Sequence, residues 1–205
     1  MARPRKDAPP RLEVILDAAV KLLLRDGYSA TSVEAISKEA GVSKATYYRH
    51  FDDKKAVLEA AVRRMASNSP LALSASEISL LQPKEALHRF AKDLMASLSR
   101  PESLGLFRLI IAEAGRSPQI GRLIFREITA VAANPLATFL REQTKVGTLS
   151  VGDPSLAAFE FIGMIKEPLF WPLLFGLKKP PVRASQTIVI DQAVRNFLKA
   201  YGTKI

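Results

Sequence analysis

The chain contains no cysteine, which excludes disulfides, thiolate zinc sites and cysteine nucleophiles and fits a reducing cytoplasm. Histidine is scarce as well: only His50 and His88 occur, and neither belongs to a metal-ligand or phosphate-loop spacing. No cofactor, metal or enzymatic chemistry is therefore expected. Long apolar runs are missing too. The most apolar region, residues 154–177, is interrupted by Glu160, Lys166, Glu167 and two prolines, so no membrane partner is expected. The first residues, Met1-Ala2-Arg3-Pro4-Arg5-Lys6, lead into a charged amphipathic segment and do not read as a signal peptide. Strand-like alternation and internal repeats are absent. What remains is helical periodicity in 205 residues, 48% of them apolar and 24% charged, enough for a sizeable all-α core.

A net charge of +10 favours an anionic partner such as nucleic acid. The charge is spread along the chain, however, since residues 1–66 hold 13 basic against 9 acidic residues, or +4, leaving +6 for the rest. Local arrangement therefore says more than the total.

The informative stretch is Thr31 to Phe51, T-S-V-E-A-I-S-K-E-A-G-V-S-K-A-T-Y-Y-R-H-F. Thr31 and Glu34 have the spacing of a capping box. Val33, Ile36 and Ala40 recur on one helical face. Gly41 suits a left-handed helix end, and Ser43 suits the N-cap of a second helix from Lys44 to Phe51. At about 100° per residue, Tyr47 and Phe51 share an inward face, and Ala45, Thr46 and Arg49 lie roughly opposite. Such a helix fits the DNA major groove, its outer residues at base edges and its flanking donors at phosphates. On periodicity alone, an αα corner without function fits equally well.

Gly27 to Leu58, G-Y-S-A-T-S-V-E-A-I-S-K-E-A-G-V-S-K-A-T-Y-Y-R-H-F-D-D-K-K-A-V-L, resembles the N-terminal signature of the TetR family of bacterial transcriptional regulators. The resemblance implies phosphate contacts from Thr31, Ser43, Lys44, Tyr48, His50 and Lys54. Base contacts would come from Thr46 and Arg49, and the Ala45 methyl would approach a thymine methyl. Ala45 stands where most relatives carry glycine, and Tyr47 replaces a common aliphatic, which affects base preference. A basic arm, Arg3, Arg5 and Lys6, either lies along the DNA or is a solvated tail.

The rest of the chain reads as further helices, giving an all-α fold of about nine. Helix 1 spans about Arg11 to Asp26 and helix 4 about Lys54 to Met65. Helices 5 to 9 run from about Pro83 to Ser99, Pro101 to Ala114, Pro118 to Lys145, Pro154 toward Leu177, and Ala184 to Tyr201. Pro135 is expected to kink or divide helix 7, and Pro168 and Pro172 to interrupt helix 8. A serine-rich stretch, Ser67 to Ser79, marks a boundary. Residues 1–66 then form a helix-turn-helix DNA-binding domain with its connecting helix, and 67–205 a helical effector-binding and dimerisation domain.

Nine of the ten phenylalanines and the one tryptophan lie in that second part. Helix 8 is apolar almost all round and needs partners on several sides. The TetR resemblance implies a homodimer through helices 8 and 9 and a pocket for a small effector. The segment Phe107 to Ala114, F-R-L-I-I-A-E-A, is similar to the AefR-type group of the family. The chemistry suggests a lipophilic pocket among Phe107, Phe125, Phe159 and Trp171 for a hydrophobic or aromatic effector. Glu113 or Glu160 would orient a polar or cationic end, or would instead pair with Arg108 or Arg116. The expected function is a ligand-responsive, sequence-specific regulator acting as a repressor on a palindromic operator. The alternative is a helical DNA-binding protein without effector or sequence specificity. A helical enzyme finds no support in the residues.

Overall fold

The computed structural model describes residues 11–71, 77–78, 80–177 and 183–203. The basic arm, much of the serine-rich stretch and the Lys178–Pro181 loop lie outside them. Within the described residues the chain is all-helical: α1 Arg11–Asp26, α2 Val33–Glu39, α3 Lys44–Tyr48, α4 Lys54–Ser67, α5 Pro83–Leu98 and α6 Pro101–Ala114. They are followed by α7 Pro118–Lys145, α8 Pro154–Leu174 and α9 Arg183–Tyr201. One isolated antiparallel bridge, Leu149 to Gly202, ties the α7–α8 loop to the end of α9.

Prolines shape α7 and α8 differently. In α7 the turn Thr129–Ala133 is π-helical and immediately precedes Asn134 and Pro135. Pro135 has no N–H, and its ring would strike the carbonyl of Val131 in a regular helix. Widening the preceding turn relieves both problems, so the helix neither breaks nor ends. The expected interruption of α8 is corrected: the helix runs through Pro168 and Pro172 to Leu174. Its neighbours hold it, because α7 and α9 pack along it. By length and composition α7 would also suffice to cross a bilayer, but it packs on α4, α6 and α8, and its buried Ile120, Leu123, Leu136, Phe139 and Leu140 belong to the interior.

There are two apolar cores. The larger joins α5 to α9 around Phe90, Phe161, Phe170 and Phe197. The smaller is built on α1 to α4, with Ile15, Leu23, Ile36, Tyr47, Val57 and Leu58, yet it also takes in Leu106, Leu109 and Ile110 of α6 and Ile120 of α7. Each such buried side chain contributes roughly 1.5–3 kcal/mol, so the first four helices are anchored to α6 and α7 through a shared interior. Gly105 lets α6 approach α1 closely, since a Cβ there would lie 2.8 Å from Leu24 Cδ2 on α1.

Candidate nucleic-acid interface and cavities

α2 and α3 are set by their ends. Ser32, not Thr31, caps α2, its hydroxyl accepting from Ala35 N–H. The expected capping box is thereby corrected: Thr31 is buried and donates its hydroxyl to the Gly27 carbonyl at 2.7 Å. Gly41 adopts φ +65°, which lets the chain reverse, and the Val42 N–H returns to the Ser37 carbonyl at 3.0 Å. Ser43 caps α3 by accepting from Thr46 N–H. The second helix is shorter than expected, ending at Tyr48 rather than Phe51, where the His50 N–H turns to the Tyr47 carbonyl.

Tyr47 fixes how α3 is presented. It is fully buried, meets the Tyr48 ring edge-on and the Phe51 ring at a tilt, and donates its hydroxyl to the Asp53 carbonyl at 3.0 Å. Burial, with Asp53 adding to it, pushes the phenol far above its ordinary range, so it stays a donor. Asp53 in turn caps α4 by accepting from Ala56 N–H at 2.7 Å. The reading helix and α4 are thus joined by one buried side chain.

Around this anchor Ser43, Lys44, Ala45, Tyr48, Arg49 and His50 are exposed, on one continuous surface. Lys44 lies 3.2 Å from Glu34. Thr46 departs from the expectation of a base contact. It is 8% exposed, and its hydroxyl lies 3.0 Å from Ser43 Oγ and accepts from Arg49 at 3.3 Å, so it orients Arg49 instead. Lys54 departs too. Its ammonium is turned inward, donating to the carbonyls of Tyr28 and Thr31 and lying 4.3 Å from the centre of the Tyr28 ring. Burial pulls this ammonium below its ordinary range, and the Glu113 carboxylate pulls it back. Lys54 therefore clamps the α1–α2 loop to the start of α4.

The six residues expected to line an effector pocket are not gathered around one of the described cavities. Phe125 and Phe159 are 65% and 43% exposed and lie parallel to each other, centroids 6.3 Å apart. Glu160 accepts from the Tyr201 hydroxyl. Trp171 donates to Glu167 at 3.0 Å. Glu113 is buried and accepts from the Ser29 hydroxyl at 3.4 Å, while Arg108 donates to the Leu173 and Leu174 carbonyls; the expected Glu113–Arg108 pair is not formed. Phe107 borders a cavity of about 60 Å³ with Met65 and Ala66 of α4, Leu94 and Leu98 of α5, and Ile128 and Val131 of α7. Beyond Leu71 and Val131 a larger cleft of about 470 Å³ opens, walled by Phe90, Leu136 and Phe139 and by Asn134, Thr138, Glu142 and Gln143. The reading by sequence missed this cleft, although Asn134, Thr138 and Glu142 recur every fourth residue, a polar stripe beside an apolar one. It also missed the Tyr28–Lys54 and Ser29–Glu113 contacts, which carry no local signature. No group of three or more metal-ligating side chains occurs among the described residues.

Comparison with known proteins agrees with this geometry. Residues 15–61 match the family described as bacterial regulatory proteins, tetR family, and residues 85–203 match the AefR-like transcriptional repressor, C-terminal domain. The HTH-type transcriptional regulator YvkB of Bacillus subtilis is 28% identical over 159 residues, covering 76% of this chain and 79% of its own. A TetR-family transcriptional regulator of Mesorhizobium loti is similar in structure, with a TM-score of 0.84 and 31% identity over 94% of this chain and 97% of its own. The flavonoid-responsive regulator FrrA gives a TM-score of 0.80 and 29% identity over 97% of this chain and 100% of its own. The AefR-like match alone covers more than half of the sequence, and the chain belongs to the TetR family of bacterial DNA-binding transcriptional regulators.

Proposed function

We propose that the chain is a cytoplasmic repressor that binds a palindromic operator as a homodimer and is released by a small, mainly hydrophobic or aromatic effector. The observation that carries this is the exposed surface of α3 on a buried tyrosine anchor: Lys44, Tyr48 and His50 flank Ala45 and Arg49. In this reading residues 1–66 are the DNA reader and 67–205 the effector and dimerisation domain. Ser43, Lys44, Tyr48 and His50 hold phosphates, Arg49 and the Ala45 methyl read bases, and Thr31, Thr46 and Lys54 position them. Repression is supported by the AefR-like repressor match and by the negative transcriptional regulator IcaR of Staphylococcus aureus, 39% identical over 49 residues, 24% of this chain and 26% of its own. The name of FrrA, responsive to flavonoids, supports an aromatic effector.

Pairing through α8 and α9 is supported by their exposed apolar residues, Leu156, Phe159 and Ile188. Two readers then meet half-sites one or more DNA turns apart, roughly 34–36 Å per turn. The effector reaches α4 through the small cavity bordered by Met65 and Ala66, and must bind the DNA-incompetent state better to shift the equilibrium.

The test is fluorescence anisotropy with DNA from upstream of the chain's own gene against scrambled DNA, at two salt concentrations. Selective binding that survives higher salt is expected. Equal binding that collapses with salt would mean phosphates alone are read and would overturn sequence specificity. Arg49→Ala is expected to change which operator variant is preferred, and a uniform loss would remove Arg49 from base reading.

A further inference from the structure

Resting on the effector-responsive reading, we propose that the larger cleft, between α5 and the second half of α7, takes an uncharged flat lipophile with hydrogen-bond donors along one edge, and rejects carboxylates. Its volume, about 470 Å³, lies in the range of small-molecule sites. The floor is apolar and partly aromatic, with Phe90, Val131, Leu136 and Phe139. One wall is different. Asn134, Thr138 and Glu142 stand one helical turn apart on α7, which places polar groups over about 12 Å along the cleft.

The wall's partners decide the ligand's charge. An ionised glutamate only accepts hydrogen bonds, so whatever meets Glu142 must donate. Asn134 and Thr138 make no side-chain hydrogen bond among the described residues and are free to meet further hydroxyls. Among the described residues no lysine or arginine lines the cleft. Two cations close to it in sequence have partners: Lys145 donates to Glu142 at 2.8 Å, and Arg89, next to Phe90, donates to Asp93 at 2.8 Å and Glu77 at 3.1 Å. An anionic ligand would leave water for an apolar floor and face a carboxylate, with no cation among the described lining residues to meet it. A neutral phenol-bearing ligand meets none of these penalties.

Three rods of matched length separate the possibilities: 4,4′-dihydroxystilbene, unsubstituted stilbene and stilbene-4,4′-dicarboxylate, titrated into the full chain by calorimetry. Dihydroxystilbene is expected to bind at least about tenfold more tightly than stilbene, from donors matched to Glu142 and its neighbours, and the dicarboxylate to give no binding. Thr138→Trp fills the cleft from an exposed position and is expected to abolish binding without changing the melting temperature. Glu142→Lys is expected to weaken dihydroxystilbene and admit the dicarboxylate. Binding of the dicarboxylate by the unmodified protein, or undiminished binding by Thr138→Trp, overturns the proposal. Dihydroxystilbene that binds in the cleft without altering operator affinity supports the site and overturns the effector reading, so the two failures are distinct.

Discussion

Replacing Lys54 by methionine separates a structural role from a role at DNA. The methionine keeps most of the aliphatic stem but loses the ammonium that donates to the carbonyls of Tyr28 and Thr31. Hydrogen bonds to a charged group contribute about 1.5–3 kcal/mol. Part of that is offset because the amine is half-buried and its charge is partly desolvated, so a net loss of about 1–2 kcal/mol is expected. For a chain of this length each kcal/mol moves the melting temperature by about 2–4 °C, which gives a fall of about 2–8 °C. Operator affinity should drop with it, because the α1–α2 loop carries the start of α2, while its dependence on salt should not change. If Lys54 instead held a phosphate in each half-site, the dimer's slope of log affinity against log salt would become shallower by about 2, with melting unaltered. Thermal melts and anisotropy at four salt concentrations give both readings from one preparation. A shallower slope with an unshifted melt would refute the clamp.

Gly41→Ala tests the turn between α2 and α3: no atom lies within 4 Å of the added Cβ, so the expected loss of about 1–2 kcal/mol is that of the left-handed backbone alone. A melt indistinguishable from the parent would show that the turn tolerates a side chain. Lys166 offers a test by pH. Burial pulls its ammonium below the ordinary 10.5, an effect that the Glu167 carboxylate partly offsets, and the rings of Phe170 and Trp171 each lie 5.5 Å from the charge. Between the lowered folded value and 10.5 the unfolded chain binds more protons, so this group's contribution to stability rises with pH there. Lys166→Met is expected to melt higher than the parent at pH 7, with the gap closing as the pH approaches 10.5; a constant gap would refute the assignment.

The DNA reader was legible because its instructions are local. Gly41 and Ser43 each act on neighbours within five residues, and the structure places both as their types demand. Where the sequence reading failed, the deciding partner was distant. Thr46 has the right helical angle for an outward contact, but its hydroxyl is taken by Ser43 and Arg49 on a helix of only five residues. Lys54 has the right charge, but its partners lie 23 and 26 residues earlier. The pocket failed for a related reason. An aromatic side chain signals burial without saying against what, and Phe125 and Phe159 lie against each other at the surface. The prolines divided on context: Pro135 left a mark as a widened turn, whereas Pro168 and Pro172 sit within a continuous helix packed between its neighbours.

The shared interior bears on how an effector is felt at DNA. The proposed division lies near residue 66, but Leu106, Leu109 and Ile110 of α6 are packed into the same core as Tyr47 and Leu58. Glu113, at the end of that helix, receives the Ser29 hydroxyl from the loop that Lys54 clamps. Further along α4, Arg64 donates to Glu13 and Asp17 of α1 at 3.0 and 2.7 Å, and Arg63 lies 3.3 Å from Glu127 of α7. Close-packed interiors do not deform smoothly, so a ligand that spreads α5 from α7 has to move α4 and α6 as bodies rather than bend them. The Tyr47 to Asp53 hydrogen bond then carries α3 along with α4. In the proposed homodimer, differential affinity of the effector for the displaced arrangement would convert that motion into a changed separation of two readers.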